Sequence, residues 1–140
     1  MEPGHERSAL GEAVERVGDR WTLLLVDALL GGPRRFNDLL EDLPGIAPNI
    51  LSARLKHLER EAVVVSRPYS RRPPRFVYEL TAAGRELAGA LRLLAAWGAQ
   101  RSDQDVPRHT RCGTSMQARW WCPTCARVVE DDETDTLRFA

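Results

Sequence analysis

The hydrophobic period of this chain changes between residues 48 and 80, and that change restricts the fold more than any other feature. Leu51, Leu55 and Leu58 recur at helical spacing through Glu61, which predicts a helix over 48–61 with one buried side. Two short β-prone runs follow, Val63-Val64-Val65 and Phe76-Val77-Tyr78-Glu79-Leu80, with the segment RPYSRRPPR between them. A helix running into strand, exposed basic loop and strand predicts a hairpin "wing" after the helix. Pro48 opens the helix, at the turn where a missing N–H costs nothing.

The residues before this point read as three more helices. Ala9, Leu10, Ala13, Val14 and Val17 form one apolar stripe over 8–18. Residues 20–30, RWTLLLVDALL, are apolar almost all round, as expected of a helix in the domain centre. Asp19 stands where it can cap that helix, and Gly31-Gly32-Pro33 stops it. Residues 34–43 predict a third helix with Phe36, Leu39, Leu40 and Leu43 on one side, closed by the turn pair Pro44-Gly45. After the hairpin, Thr81 can cap a long last helix over 82–100, striped by Leu87, Leu91, Leu94 and Ala95. The expected architecture is mainly α with a small β-hairpin wing, a winged helix-turn-helix over 8–101. A linker (102–107), a small β module (108–130) and an acidic tail (131–140) follow.

Composition bounds the function. Of the 140 residues, 43% are hydrophobic and 29% charged, and no apolar run reaches the roughly 18 residues of a membrane span. Residues 1–7 are polar and charged, unlike a signal peptide, so a cytoplasmic address is expected. The net charge is zero, but it is unevenly spread. Residues 34–75 carry nine basic side chains against five acids, while acids dominate residues 1–33. The positive part lies where the two short helices and the hairpin do.

Two short helices joined by a tight glycine-bearing turn are the geometry of a helix-turn-helix, whose second helix lies in the major groove of double-stranded DNA. With the leucines of 48–61 inward, Asn49, Ser52, Ala53, Lys56 and His57 should face outward. Asn49 can pair with adenine, Ser52 can donate or accept, Ala53 can touch a thymine methyl, and Lys56 suits guanine or phosphate. Arg34 and Arg35, expected at the start of the preceding helix, suit phosphates. Arg71, Arg72 and Arg75 of the hairpin can follow the backbone or enter the minor groove.

The stretch from Gly18 to Gly98 resembles the HxlR-type branch of the MarR-like winged-helix regulators. The resemblance is carried by Gly18-Asp19-Arg20-Trp21, Arg35-Phe36-Asn37-Asp38-Leu39, Pro44-Gly45-Ile46, Leu51-Ser52-Ala53-Arg54-Leu55 and Tyr78-Glu79-Leu80-Thr81-Ala82-Ala83-Gly84. It implies a sequence-specific transcriptional regulator, a homodimeric repressor on a palindromic promoter site, joined through helices 8–18 and 82–100. A two-fold dimer also fits the physics, since one such domain makes few phosphate contacts. Many members carry a cysteine just before the first helix. This chain has Ser8-Ala9-Leu10 there and no cysteine before Cys112, so redox sensing at that position is excluded.

All three cysteines fall in the tail, in HTRCGTSMQARWWCPTC. His109, Cys112, Cys122 and Cys125 form H-x2-C and C-x2-C pairs, the donor set of a structural zinc ribbon. Some actinobacterial-type members of the same family have a similar tail. Four protein ligands leave no open position for catalysis, so a staple is expected rather than an enzyme. Trp120 or Trp121 is expected to cover the metal or pack on the winged helix. Two alternatives stay open: a zinc- or thiol-responsive regulator using these cysteines, and a protein-interaction adaptor built from a winged helix and a ribbon. The inducer is not legible.

Overall fold

The computed structural model describes residues 8–130, 132 and 133. The acidic tail expected over 131–140 lies outside them, apart from residues 132 and 133. None of the described helices is long and apolar enough to cross a membrane. The chain forms two compact units, divided between Leu91 and Arg92.

In the first unit, α1 (Ala9–Val17) starts where the Ser8 hydroxyl accepts the Gly11 N–H at 3.0 Å. The next helix, α2 (Arg20–Leu30), is capped by Asp19, whose carboxylate accepts the Thr22 N–H at 2.9 Å and also the Thr22 hydroxyl. The bounds of α2 are those the apolar spacing predicts, and α1 is one residue shorter at each end than the expected 8–18, with Ser8 and Gly18 as its caps. Leu25, Val26 and Leu29 of α2 are fully or nearly fully buried. They meet Leu39 of α3 (Phe36–Asp42), Leu51, Leu55 and Leu58 of α4 (Pro48–Arg60), and Val64 and Leu80 of the hairpin.

Arg34 and Arg35 do not start α3. They form a two-residue strand, β1 (Arg34–Arg35), paired with Tyr78 and Val77 of β3 (Pro74–Leu80). The helix begins at Phe36, two residues later than expected, with Asp38 reaching back to accept the Arg35 N–H at 3.0 Å, half of a capping box. The sheet order is β1-β3-β2, with β2 (Val64–Arg71) at an edge.

The wing strands are longer than the β-prone runs that announce them. Most of RPYSRRPPR is paired, from Arg67↔Val77 to Arg71↔Pro74, with an irregularity between Pro68 and Ser70. An edge strand tolerates Pro68, because its lost N–H need not face a neighbour. Arg67 also reaches Glu79 of β3 at 2.7 Å, a cross-strand pair that a sequence period does not reveal.

The junction between α4 and β2 is a Schellman turn. Val63 N–H bonds the Leu58 carbonyl at 2.9 Å and Ala62 N–H the Glu59 carbonyl at 3.1 Å, with Ala62 left-handed at φ 56°. Gly84 presses on this turn: a Cβ there would stand 2.3 Å from the Val63 carbonyl oxygen. Thr81 caps the following helix by accepting the Gly84 N–H at 3.1 Å. The single last helix expected over 82–100 is in fact two, α5 (Ala82–Arg85) and α6 (Ala88–Ala99). At the break, Leu87 N–H bonds Gly84 three residues back at 3.2 Å, tightening the turn, and Gly84 and Gly89 flank it with poor helix formers.

The second unit holds an antiparallel hairpin of β4 (Trp120–Cys122) and β5 (Arg127–Val129), preceded by an isolated bridge between Arg108 and Ser115.

Candidate nucleic-acid interface

α3 and α4 are joined by residues 43–47, where Gly45 takes φ 89° and Ile46 N–H bonds the Leu43 carbonyl at 3.1 Å. Only glycine adopts that conformation at no steric cost. α4 then presents two sides. Leu51, Leu55 and Leu58 are at most 2% exposed. Asn49, Ala53 and Lys56 are exposed, and Ser52 is half-buried. The four residues expected to read bases therefore lie off the core-facing side.

His57 is a correction. It does not face outward, because its Nε2 lies 2.7 Å from the Arg16 carbonyl at the end of α1. Two ion pairs accompany it: Arg54 to Asp19 at 3.3 Å, and Arg16 to Glu61 at 3.7 Å. Together they tie one flank of α4 to α1 and to the cap of α2. Asp19 was legible as a cap, but helical spacing carries no signal for a partner from α4.

Burial alone would push the Asp19 carboxyl up. Hydrogen bonds from Thr22 and the charge of Arg54 outweigh it and hold the group below the usual aspartate range.

The arginines divide into two groups. Arg34 forms a bidentate pair with Asp42, both contacts at 2.8 Å, and Arg35 pairs with Asp38 at 3.2 Å. The Arg35 N–H and guanidinium in turn hold the Asp38 carboxyl down. Arg71, Arg72 and Arg75, at and beside the wing turn, are exposed and make no ion pair among the described residues. The wing therefore presents open positive charge, whereas that of β1 is largely matched by local carboxylates.

An open cleft of about 620 Å³ lies between α2, β1 and the end of α3, walled by Trp21, Leu24, Asp27, Arg34 and Asp42. The Arg20 guanidinium stacks over Trp21 at 4.5 Å from the ring centre.

In the second unit the structure brings the tail donors together in pairs. His109 Nδ1 lies 3.3 Å from Cys112 Sγ, and the Cys122 and Cys125 side chains are hydrogen-bonded to each other. Hydrogen bonds with Thr114, then with His109, bring the Cys112 thiol down to about 7. Among the described residues no three His, Cys, Asp or Glu side chains gather into one metal-holding group. Trp120 and Trp121 are 61% and 60% exposed. Adjacent residues on a two-stranded ribbon point to opposite faces.

Comparison with known proteins agrees with this geometry. The model of the HxlR-like helix-turn-helix family matches residues 16–106. An HTH-type transcriptional regulator of Mycobacterium tuberculosis, Rv3095, is 37% identical over 133 residues, covering 89% of this chain and 81% of its own. That share necessarily includes part of the cysteine-bearing tail. The crystal structure of the HTH-type transcriptional regulator YtcD is similar at a TM-score of 0.64 and 32% identity, over 69% of this chain and 99% of that one. The redox regulator HypR in its reduced form is similar at a TM-score of 0.64 and 28% identity, over 67% and 93% of the two chains. With its two short helices, wing and matched span, the chain belongs to the HxlR-like helix-turn-helix family.

Proposed function

We propose that this chain is a sequence-specific, DNA-binding transcriptional regulator that acts as a homodimeric repressor on a palindromic promoter site. One observation carries the reading: Asn49, Ala53 and Lys56 stand exposed on a helix anchored by three buried leucines, and the hairpin packed against that helix carries three arginines that make no ion pair among the described residues. Base-reading groups on a rigid helix, with open cations beside them, are what groove binding requires. Asn49, Ser52, Ala53 and Lys56 read bases, and Arg71, Arg72 and Arg75 bind phosphate or minor groove. Arg34 and Arg35 are weaker phosphate ligands here, because each must first be drawn from a carboxylate. The dimer is supported by apolar side chains left exposed on α1 and α6, among them Leu10, Val14, Leu94 and Trp97.

The test is fluorescence anisotropy of the full chain with labelled duplex from its own promoter region, alongside Lys56→Ala and Arg72→Ala. Tight binding that both variants weaken is the expected result. Unchanged binding by both would remove this surface from the interface.

A further inference from the structure

The tail contains the same loop twice. In the first copy, Arg108 bridges Ser115, and His109 N–H bonds the Thr114 carbonyl at 2.8 Å. In the second, Trp121 pairs with Val128 and Cys122 with Arg127. The two registers coincide: His109 takes the place of Cys122, Cys112 that of Cys125, and Thr114 that of Arg127. The next residue after each second donor is left-handed in both, Gly113 at φ 73° and Ala126 at φ 53°. An alanine is sterically disfavoured in that conformation, so the second loop keeps the shape of the first against backbone strain.

In each loop the backbone is aimed at sulfur. The Thr114 N–H points at Cys112, and those of Cys125 and Thr124 point at Cys122. The first pair also has the right width. Ligands at about 2.0–2.1 Å (nitrogen) and 2.3 Å (sulfur) from a tetrahedral zinc stand roughly 3.5 Å apart, and His109 Nδ1 stands 3.3 Å from Cys112 Sγ.

These loops have no core to hold them. From Arg108 to Arg127 every residue is exposed except Cys122, which is half-buried. A disulfide between two of the three cysteines would leave the third, and His109, outside the link. A four-coordinate metal would use all four donors.

We propose that His109 Nδ1, Cys112, Cys122 and Cys125 together bind one zinc ion, the paired loops acting as its two knuckles and His109 standing as the structural counterpart of a cysteine. Three soft thiolates and one imidazole select zinc over oxygen-seeking cations. Binding joins the knuckles as each thiol gives its proton to solvent, so metal uptake and local folding are coupled. This proposal is independent of the DNA-binding reading.

The experiment uses the full chain purified under reducing conditions. Bound zinc is quantified, and cobalt(II) replaces it to report coordination by its absorption. The expected result is one zinc per chain and the intense spectrum of tetrahedral, thiolate-bound cobalt. Loss of an outer-shell partner typically weakens metal binding by about 10–100-fold, so His109→Ala should weaken zinc binding by about a hundred-fold or more. His109→Cys should restore it, with more thiolate character in the cobalt spectrum. Circular dichroism of the winged-helix unit, unchanged in each variant, shows that the chain is folded. Reduced protein that neither carries nor takes up zinc would overturn the proposal. So would a His109→Ala variant as tight as the native chain. Zinc binding without DNA binding would sink the regulator reading and leave this one standing.

Discussion

The guanidinium of Arg54 lies 3.3 Å from the carboxylate of Asp19, linking the middle of α4 to the residue that caps α2. The two side chains are 37% and 42% exposed, so the pair itself is worth no more than about 1 kcal/mol. Asp19 does more, because it also accepts the Thr22 N–H. Asp19→Ala should cost about 1–2 kcal/mol, the cap included, whereas Arg54→Ala should cost less. Asp19→Asn keeps the cap and should resemble Arg54→Ala. Urea unfolding of the single and double variants measures this; equal losses for Asp19→Ala and Arg54→Ala would show that the cap contributes nothing.

The same carboxylate sets a pH dependence. Its pKa is held below the ordinary value of about 3.9 because hydrogen bonds from Thr22 and the charge of Arg54 outweigh its burial. A group depressed on folding contributes stability above its unfolded pKa and loses it as pH falls through the folded value. Native protein should therefore lose stability on acidification below about pH 4, and Asp19→Asn should lose less over that window. Parallel pH curves for the two proteins would count against the assignment.

On α4, Arg54 and Lys56 should separate by salt dependence. Lys56 and Arg72 are exposed, so replacing either by alanine should lower the slope of log affinity against log salt by about one if it meets a phosphate. If Lys56 instead pairs with guanine, its loss should relax sequence preference at one base pair. Arg54 faces Asp19, so Arg54→Ala should weaken binding with the slope unchanged. A reduced slope for Arg54→Ala would mean that it touches DNA directly.

Much of this was legible in the sequence where apolar spacing and caps act locally. α2 occupies Arg20–Leu30 because Asp19 and Gly31 bracket a continuous apolar run, and α4 follows Pro48 with its leucines inward. What escaped involved partners distant in sequence. Arg34 and Arg35 become a strand only because β3 offers an edge, and His57 turns inward only because the Arg16 carbonyl is there. Most of the candidate base-reading side chains follow from elimination on one helix. The tail's two spacings were plain, but the matching registers and the left-handed Ala126 needed backbone geometry.

Ala62 and Gly84 give opposite predictions on one turn. Ala62 is left-handed at the Schellman position, where its Cβ costs about 1–2 kcal/mol and glycine's extra chain entropy takes back about 0.5–1 kcal/mol. Ala62→Gly should stabilise the protein by about 0.5–1 kcal/mol. Gly84→Ala should do the reverse and by more, since its Cβ would stand 2.3 Å from a backbone oxygen that Thr81 N–H already holds. Thermal melts of both variants decide this. A Gly84→Ala protein as stable as the native one would show that the turn can move.

Leu10 and Val14, four residues apart on α1, are 74% and 54% exposed. Side chains at that spacing form one stripe along the helix, and burying each against a second copy would contribute about 1.5–3 kcal/mol at most. Val14→Glu places a charge in that stripe. It should shift the chain from dimer to monomer in sedimentation equilibrium and weaken promoter binding steeply, because each monomer then grips one half-site alone. The fold should survive, as Val14 is no part of the buried core. A variant that stays dimeric at the native concentration dependence would remove α1 from the interface and leave the exposed face of α6, with Leu94 and Trp97, to carry it alone.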